Sequence, residues 1–377
     1  MSRDLFRGLL VLITALSAFA FDLGSVARAG ELRIERIFGP EVKTGPYKHP
    51  ASMTELSNGD FYLVYFGGEG EYATDTGVFG SRLKKGSDVW TEPKRIAHDP
   101  FHSVGNAVVW EAPDGLVWLF YVVRHGDTWS HSRVTAKISD DHAETWSDAS
   151  PLTFEEGTLV RNRPLVLSSG EYLLPLYLET GDDTEASGAD TRSFFLKYDP
   201  KAKSWTRTGE IRSPKGNLQP APAELSPGNL VAYCRRAGDY RPETIGHIIR
   251  SESHDGGMTW TEGKDSEFPN PNAAVDLLKT RSGRLLLIYN DSMNKRTPLT
   301  VAMSPDLDRS WPIKRNIIEG DGDFGYPFAF QASDGKIHVV FTSDRRSVVN
   351  RAIFDEEWIE RGDDQGARPE PVKAEGD

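Results

Sequence analysis

The sequence predicts an all-β fold, a six-bladed β-propeller of four-stranded antiparallel blades, on three observations. A glycine-containing turn followed by an alternating apolar strand occurs six times, at Gly59, Gly115, Gly170, Gly228, Gly283 and Gly335, in steps of 56, 55, 58, 55 and 52 residues. Between successive turns a Trp closes a small polar cluster, at Trp90, Trp146, Trp205, Trp260 and Trp311. Each period has room for several short strands, and a repeat of about fifty residues built that way is the signature of propeller blades.

The chain opens with Arg3 and Arg7 ahead of an apolar run over 9–20, and Ala27-Arg28-Ala29 follows with small residues at the two positions a signal peptidase reads. This pattern predicts a cleaved secretory signal over 1–29 and a soluble secreted or periplasmic protein, with no membrane span after cleavage. An uncleaved membrane anchor is the other reading, although the run is short for a bilayer and no second one follows. The repeat then runs without a break, which predicts one propeller over 31–360 rather than two domains. After Trp358 the composition turns to RGDDQGARPEPVKAEGD, an acidic tail expected to be disordered over 361–377. Cys234 is the only cysteine, so no intramolecular disulfide is expected. A net charge of −12 with no basic stripe argues against a nucleic-acid partner.

The blade around Gly228 shows how the parts divide. A first strand ends at Ser226-Pro227-Gly228, a hairpin turn, and residues 230–235 return antiparallel. A third strand alternates Ile245, His247 and Ile249 against Gly246, Ile248 and Arg250. Ser253-His254-Asp255-Gly256-Gly257-Met258-Thr259-Trp260 then reads as a tight hairpin, in which Asp255 accepts backbone N–H bonds and the glycines permit positive φ. Antiparallel order puts the glycine turns and the Asp-to-Trp clusters at one end of every blade. The starts of the first strands, and the loops joining second and third strands, lie at the other. Repeated residues build scaffold; unrepeated polar residues at the opposite end are the candidates for chemistry. Nine or ten positions before each turn glycine stand His49 with Pro50, Asn106, Arg161, Gln219, Ala274 and Tyr326, which should ring the channel mouth. Loops over 69–75, 124–133, 179–192, 235–240, 290–296 and 344–346 surround them.

The clusters resemble the Asp-box of the sialidase (neuraminidase) superfamily. The segment 253–260 carries the Ser-x-Asp-x-Gly-x-Thr-Trp pattern in full. Residues 139–146 match with Ala143 for the glycine, and residues 304–311 match with Asp308 for the glycine and Ser310 for the threonine. Members of that superfamily hold a substrate carboxylate with three arginines and use a tyrosine nucleophile, a glutamate beside it and an aspartate acid. The resemblance implies Tyr326, in Gly325-Tyr326-Pro327, as nucleophile, Arg235 and Arg296 as carboxylate binders, and Asp75 as acid, with Glu69 and Glu71 close by. It departs at two places. Lys48-His49-Pro50-Ala51 stands where the first arginine is expected, making Lys48 the substrate-binding counterpart, and Gln219 stands at the glutamate position.

The chemistry can be stated from the residues. Arginines grip a carboxylate bidentately and so select an anionic sugar even on an acidic protein. A neutral tyrosine attacks a carbon that bears a carboxylate without the repulsion a carboxylate nucleophile would meet. Sialidases, with their tyrosine nucleophile, depart in this way from the paired carboxylates of most glycosidases. Gln219 cannot take the tyrosine's proton, and Glu224 falls on the other face of its strand. The general base would then be His49 or a loop acid. His98 and His102 flank Pro100, which argues against a helical metal pair, and no cofactor or metal is expected. Three functions follow: a sialidase-like exo-glycosidase acting on acidic glycans, a hydrolase or lyase for another acidic sugar such as a uronic acid, or a carbohydrate-binding propeller without catalysis.

Overall fold

The computed structural model describes residues 30–362 apart from Glu185, Tyr240 and residues 242–244. The expected leader over 1–29 and the tail beyond Gly362 lie outside the described residues. Six sheets form the six blades of the propeller, each antiparallel. Blade 1 comprises Tyr47–Glu55, Phe61–Gly68, Gly77–Leu83 and Lys94–Ala97, from the channel outward. Blade 2 comprises Ser103–Glu111, Val117–Arg124, Ser132–Ser139 and Ser150–Pro151. In blade 3 the inner strand is split into Thr158–Val160 and Leu165–Val166, both paired with Tyr172–Leu178, ahead of Arg192–Asp199 and Ser204–Arg207. Blade 4 runs Asn217–Ser226, Asn229–Arg236, His247–Ser253 and Lys264–Pro269, and blade 5 runs Asp276–Lys279, Leu285–Asn290, Leu299–Ser304 and Ile313–Ile318.

Blade 6 closes the ring. Its strands Gly325–Gln331, Ile337–Ser343 and Val348–Phe354 are completed by Arg33–Phe38 from the start of the described chain, in a register that sets Ile34 opposite Ala352. Pairing of this kind ties the start of the described chain to the last blade.

All six turn glycines adopt left-handed backbone, from φ 78° at Gly228 to φ 93° at Gly335, which is the conformation their hairpin turns require. Three of these turns are clasped to the next blade in the same way. A Ser of one turn presents its N–H and hydroxyl to a Glu at the end of the neighbouring inner strand: Ser57 to Glu111, Ser168 to Glu224, and Ser333 to Glu55. Glu224 is thereby fixed at the end of the blade remote from the channel mouth.

The Asp-boxes fold as their chemistry dictates. Asp255 Oδ1 accepts from the N–H groups of Met258 at 3.0 Å and Thr259 at 2.9 Å, while Trp260 stacks on Phe195 of the preceding blade with ring centroids 4.7 Å apart. Ala143 and Asp308 take the left-handed position of Gly257, at φ 63° and 74° against 83°. Asp308 turns that strain to use: its carboxylate binds Arg250 at 2.6 Å and accepts from Tyr233 Oη at 2.7 Å and Trp311 Nε1 at 3.1 Å, tying blade 4 to blade 5. Ile245, expected on the third strand of blade 4, lies before it and is 68 % exposed. Cys234 is buried against Leu173 and Phe195 of blade 3, and burial pushes its thiol up to about 12, so it packs as a small apolar group.

The split in blade 3 has a structural consequence. Residues 161–163 leave the sheet and cross the channel: Arg161 Nη2 donates to Pro327 O at 2.5 Å, Asn162 Nδ2 to Pro220 O at 2.9 Å, and Arg163 Nη1 to Asp276 Oδ2 at 3.0 Å. Asp276, 2 % exposed, also accepts from Ala329 N at 2.6 Å, so one carboxylate joins blades 3, 5 and 6. Removing one partner of a buried ion pair costs about 3–5 kcal/mol. Asp276→Ala is therefore expected to lower the urea unfolding midpoint by that equivalent with an unchanged slope.

Candidate active site

The site is built from irregularities in the inner strands. Their pairing registers shift between Lys48 and Ala51, Gly105 and Val108, Leu218 and Ala221, and Gly325 and Phe328. Within three of these bulges Asn106, Gln219 and Tyr326 adopt φ values of 42°, 55° and 56°. A bulge re-aims a side chain out of the sheet's alternation, and left-handed backbone at non-glycine residues persists only where surrounding structure enforces it. The three side chains line one cavity at the channel mouth together with His49, Tyr177 and Arg235.

Tyr326 is its centre. Arg235 Nη1 donates to Tyr326 Oη at 2.8 Å and to Gln219 Oε1 at 3.3 Å, and Arg235 Nε donates to Asn272 Oδ1 at 2.7 Å. Gln219 turns its amide nitrogen to Tyr177 Oη at 3.5 Å, and Asn106 Nδ2 donates to the same oxygen at 3.1 Å. The guanidinium carbons of Arg161 and Arg296 lie 5.3 and 5.6 Å from the centre of the Tyr326 ring. His49 packs edge-on against that ring with centroids 4.1 Å apart. Its Nδ1 meets Thr342 Oγ1 at 2.6 Å, and its Nε2 is buried with no hydrogen-bond partner.

Electrostatics follow from this cationic shell. Burial alone would push the Tyr326 phenol up, but Arg235, Arg296 and Arg346 outweigh it and hold the group below the ordinary tyrosine value. Burial, reinforced by the same arginines and Arg161, holds His49 well below its usual range, so the ring is neutral. Across the cavity burial pushes Glu179 up to about 7, against the pull of Arg235. Glu71 lines the same wall, accepting from Trp129 Nε1 at 3.2 Å and paired with Arg346, which also donates to Tyr47 Oη at 3.3 Å. Tyr72 Oη donates to Thr184 O at 3.0 Å, joining loops of blades 1 and 3 that both line the cavity, whose free volume is about 50 Å³. Among the described residues, no group of three or more His, Cys, Asp or Glu side chains is placed to hold a metal ion, and no helix is long and apolar enough to cross a membrane.

The structure thus gathers Tyr326, Arg235, Gln219 and His49 in one cavity, with the Arg296 guanidinium beside the tyrosine ring. Two of the expected residues lie elsewhere. Lys48 does not face the mouth: it is fully buried, with Nζ on Gly45 O at 2.5 Å, and His49 takes the inward position. Asp75 is exposed outside the cavity, its Oδ1 accepting from Glu69 N at 3.2 Å, and Glu71 of the same loop reaches the wall instead. Ala274 is buried and Asn272 lines the cavity in its place. Glu179, Arg346 and Tyr177 lie in loops or strands that sequence indexing reached without singling them out.

The sequence profile of the BNR repeat-like domain matches residues 59–339. The chain belongs to that family. This BNR-repeat propeller has sialidase-like architecture. It superposes on the Hadza microbial sialidase Hz136 with a TM-score of 0.73 at 16 % identity, covering 86 % of this chain and 69 % of that one. With the NanB sialidase of Streptococcus pneumoniae the TM-score is 0.68 at 12 % identity, over 86 % and 71 % of the two chains. An α-L-arabinanase of Penicillium chrysogenum gives 0.61 at 15 % identity, over 85 % and 97 %. No curated protein sequence matches the BNR-repeat chain. At such identities the likeness is one of fold, which sialidases share with an arabinanase.

Proposed function

We propose that this protein is an exported exo-acting glycosidase that releases a terminal acidic sugar, of sialic acid type, from glycans. The observation that carries the reading is the buried Tyr326 phenol receiving a hydrogen bond from Arg235 at 2.8 Å inside a shell of guanidinium groups. Arg235 and Arg296, with Arg346 behind them, would hold the substrate carboxylate. Tyr326, its phenol proton lost to solvent, would attack the anomeric carbon, breaking its bond to the leaving oxygen, and Glu179 would give that oxygen a proton. Water would then attack the same carbon, giving a proton to the Glu179 carboxylate, as the carbon–oxygen bond to Tyr326 breaks and the sugar leaves. Glu179 replaces Asp75 in this scheme because it lines the cavity and burial keeps its carboxyl protonated up to about 7. A cavity of about 50 Å³ holds only a few waters.

A second reading draws on the unpartnered Nε2 of His49 and the uncharged Gln219. Both suit a lyase that removes a proton beside an arginine-held uronate carboxylate, with elimination across the neighbouring carbon–oxygen bond. Incubation with fluorogenic sialosides and with uronate-terminated oligosaccharides separates the two. Fluorophore release supports the glycosidase, an unsaturated product absorbing in the ultraviolet supports the lyase, and binding without turnover of either supports a lectin.

The acid assignment has its own test. A general acid must carry its proton, so the rate is expected to fall as pH rises through about 7, the value to which burial raises Glu179. In Glu179→Gln that limb should vanish and kcat should drop about 10²-fold or more with poor leaving groups. An activated phenolic leaving group, which needs little protonation, should restore most of the rate. An unchanged alkaline limb in Glu179→Gln would remove the residue from this role.

A further inference from the structure

Gln219 is held in one orientation. Arg235 can only donate, so the side-chain oxygen of Gln219 faces Nη1 at 3.3 Å and its NH₂ faces Tyr177 Oη at 3.5 Å. The same Arg235 nitrogen donates to Tyr326 Oη at 2.8 Å. Two side chains on left-handed inner-strand bulges therefore share one guanidinium nitrogen, and only one of the two, the tyrosine, can become an anion.

We infer that the uncharged amide of Gln219 tunes Tyr326 toward its phenolate, so that Tyr326 acts on substrate without a carboxylate beside it to take its proton. A carboxylate at position 219 would bring a negative charge to the Arg235 nitrogen that the tyrosine oxygen uses, and would oppose ionisation of the phenol. The amide keeps the hydrogen-bond geometry and adds no charge.

The groups around Tyr326 come from every side. Blade 3 presents Arg161 to the ring face, and blade 5 presents Arg296, with Tyr177 of blade 3 behind Gln219. Blade 1 contributes the neutral His49 edge and, farther off, Tyr47 and Glu71, the two groups that engage Arg346 of blade 6. Arg235, Arg296 and Arg346 favour the anion, whereas burial and Glu71 oppose it. The inference rests on the reading of Tyr326 as the group that meets substrate. It assigns Gln219 a positioning role, through Arg235, in setting the tyrosine's charge.

Nuclear magnetic resonance of protein labelled at the tyrosine phenol carbon reads this without any turnover. The Tyr326 signal is identified by its absence from Tyr326→Phe. In wild type it should ionise below the ordinary tyrosine value of about 10. Gln219→Glu should raise the transition by about one pH unit or more. Gln219→Met, equally uncharged, should leave it low and guards against a folding defect in the charged variant. Ionisation at about 10 or above in wild type, or at the same pH in Gln219→Glu as in wild type, would overturn the inference. A low value in a protein that cleaves neither class of glycoside would leave the inference standing and overturn only the proposed function.

Discussion

Tyr326→Phe should reduce kcat by about 10⁴-fold or more, because it removes the only atom proposed to bond to the sugar. The substitution is a clean one. The ring keeps its edge-on contact with His49 at 4.1 Å and its place beneath Arg161 at 5.3 Å, so the bulge at φ 56° retains the packing that enforces it. What is lost is the acceptor for Arg235 Nη1 at 2.8 Å. Leaving a buried donor without its partner costs about 1–3 kcal/mol, enough to register in a melting curve but small for a propeller closed by Arg33–Phe38. Substrate affinity should change far less than turnover, since the carboxylate is assigned to the arginines. Steady-state kinetics on whichever glycoside is cleaved, with circular dichroism as a folding control, decide the matter. A loss under about tenfold would exclude a covalent role for the tyrosine, because covalent catalysis splits one difficult step in two.

The fold was legible because its causes are local and repeated. Each turn glycine needs left-handed backbone, and each Asp-box needs an acceptor three and four residues before the N–H groups it binds. Both requirements recur at blade spacing. The closing strand Arg33–Phe38 carries no such mark, because its partner lies more than 300 residues away in sequence. The site was legible only where the repeat could index it. Counting back from the turn glycines reached Asn106, Arg161, Gln219 and Tyr326, which sit on bulges or at the break in blade 3. The same count does not say which way a side chain points. Lys48 and His49 are neighbours on a strand, and a shift of one residue exchanges channel for interior. The register irregularity between Lys48 and Ala51 settles that choice and leaves no trace in composition. The position of Asp75 has another cause: the blade 1 loop has no periodicity, so sequence does not separate Glu71 from Asp75, whereas Trp129 and Arg346 fix the former. Glu179 is an ordinary loop glutamate in sequence and becomes a candidate acid only through burial.

Arg235→Ala should lower kcat/KM by about 10²- to 10³-fold, the middle of the range set by the loss of about 2–5 kcal/mol when one member of a buried hydrogen-bonded charged pair is truncated. Arg235 is 4 % exposed and its fork joins Asn272, Gln219 and Tyr326, so one deletion disturbs both substrate binding and the tyrosine. The two effects can be separated. Arg235→Lys keeps a positive charge near Tyr326, but a single ammonium cannot hold Asn272 and a carboxylate in the geometry of the fork. It should recover much of the tyrosine's low ionisation while recovering little of KM. A substrate whose carboxylate is esterified offers the complementary control: wild type and Arg235→Ala should differ much less on it than on the free acid. Equal losses on ester and acid would mean that Arg235 serves the tyrosine alone. The carboxylate would then fall to Arg296, which lies beside the tyrosine ring at 5.6 Å, and to Arg346, which would have to exchange its Glu71 partner for the substrate.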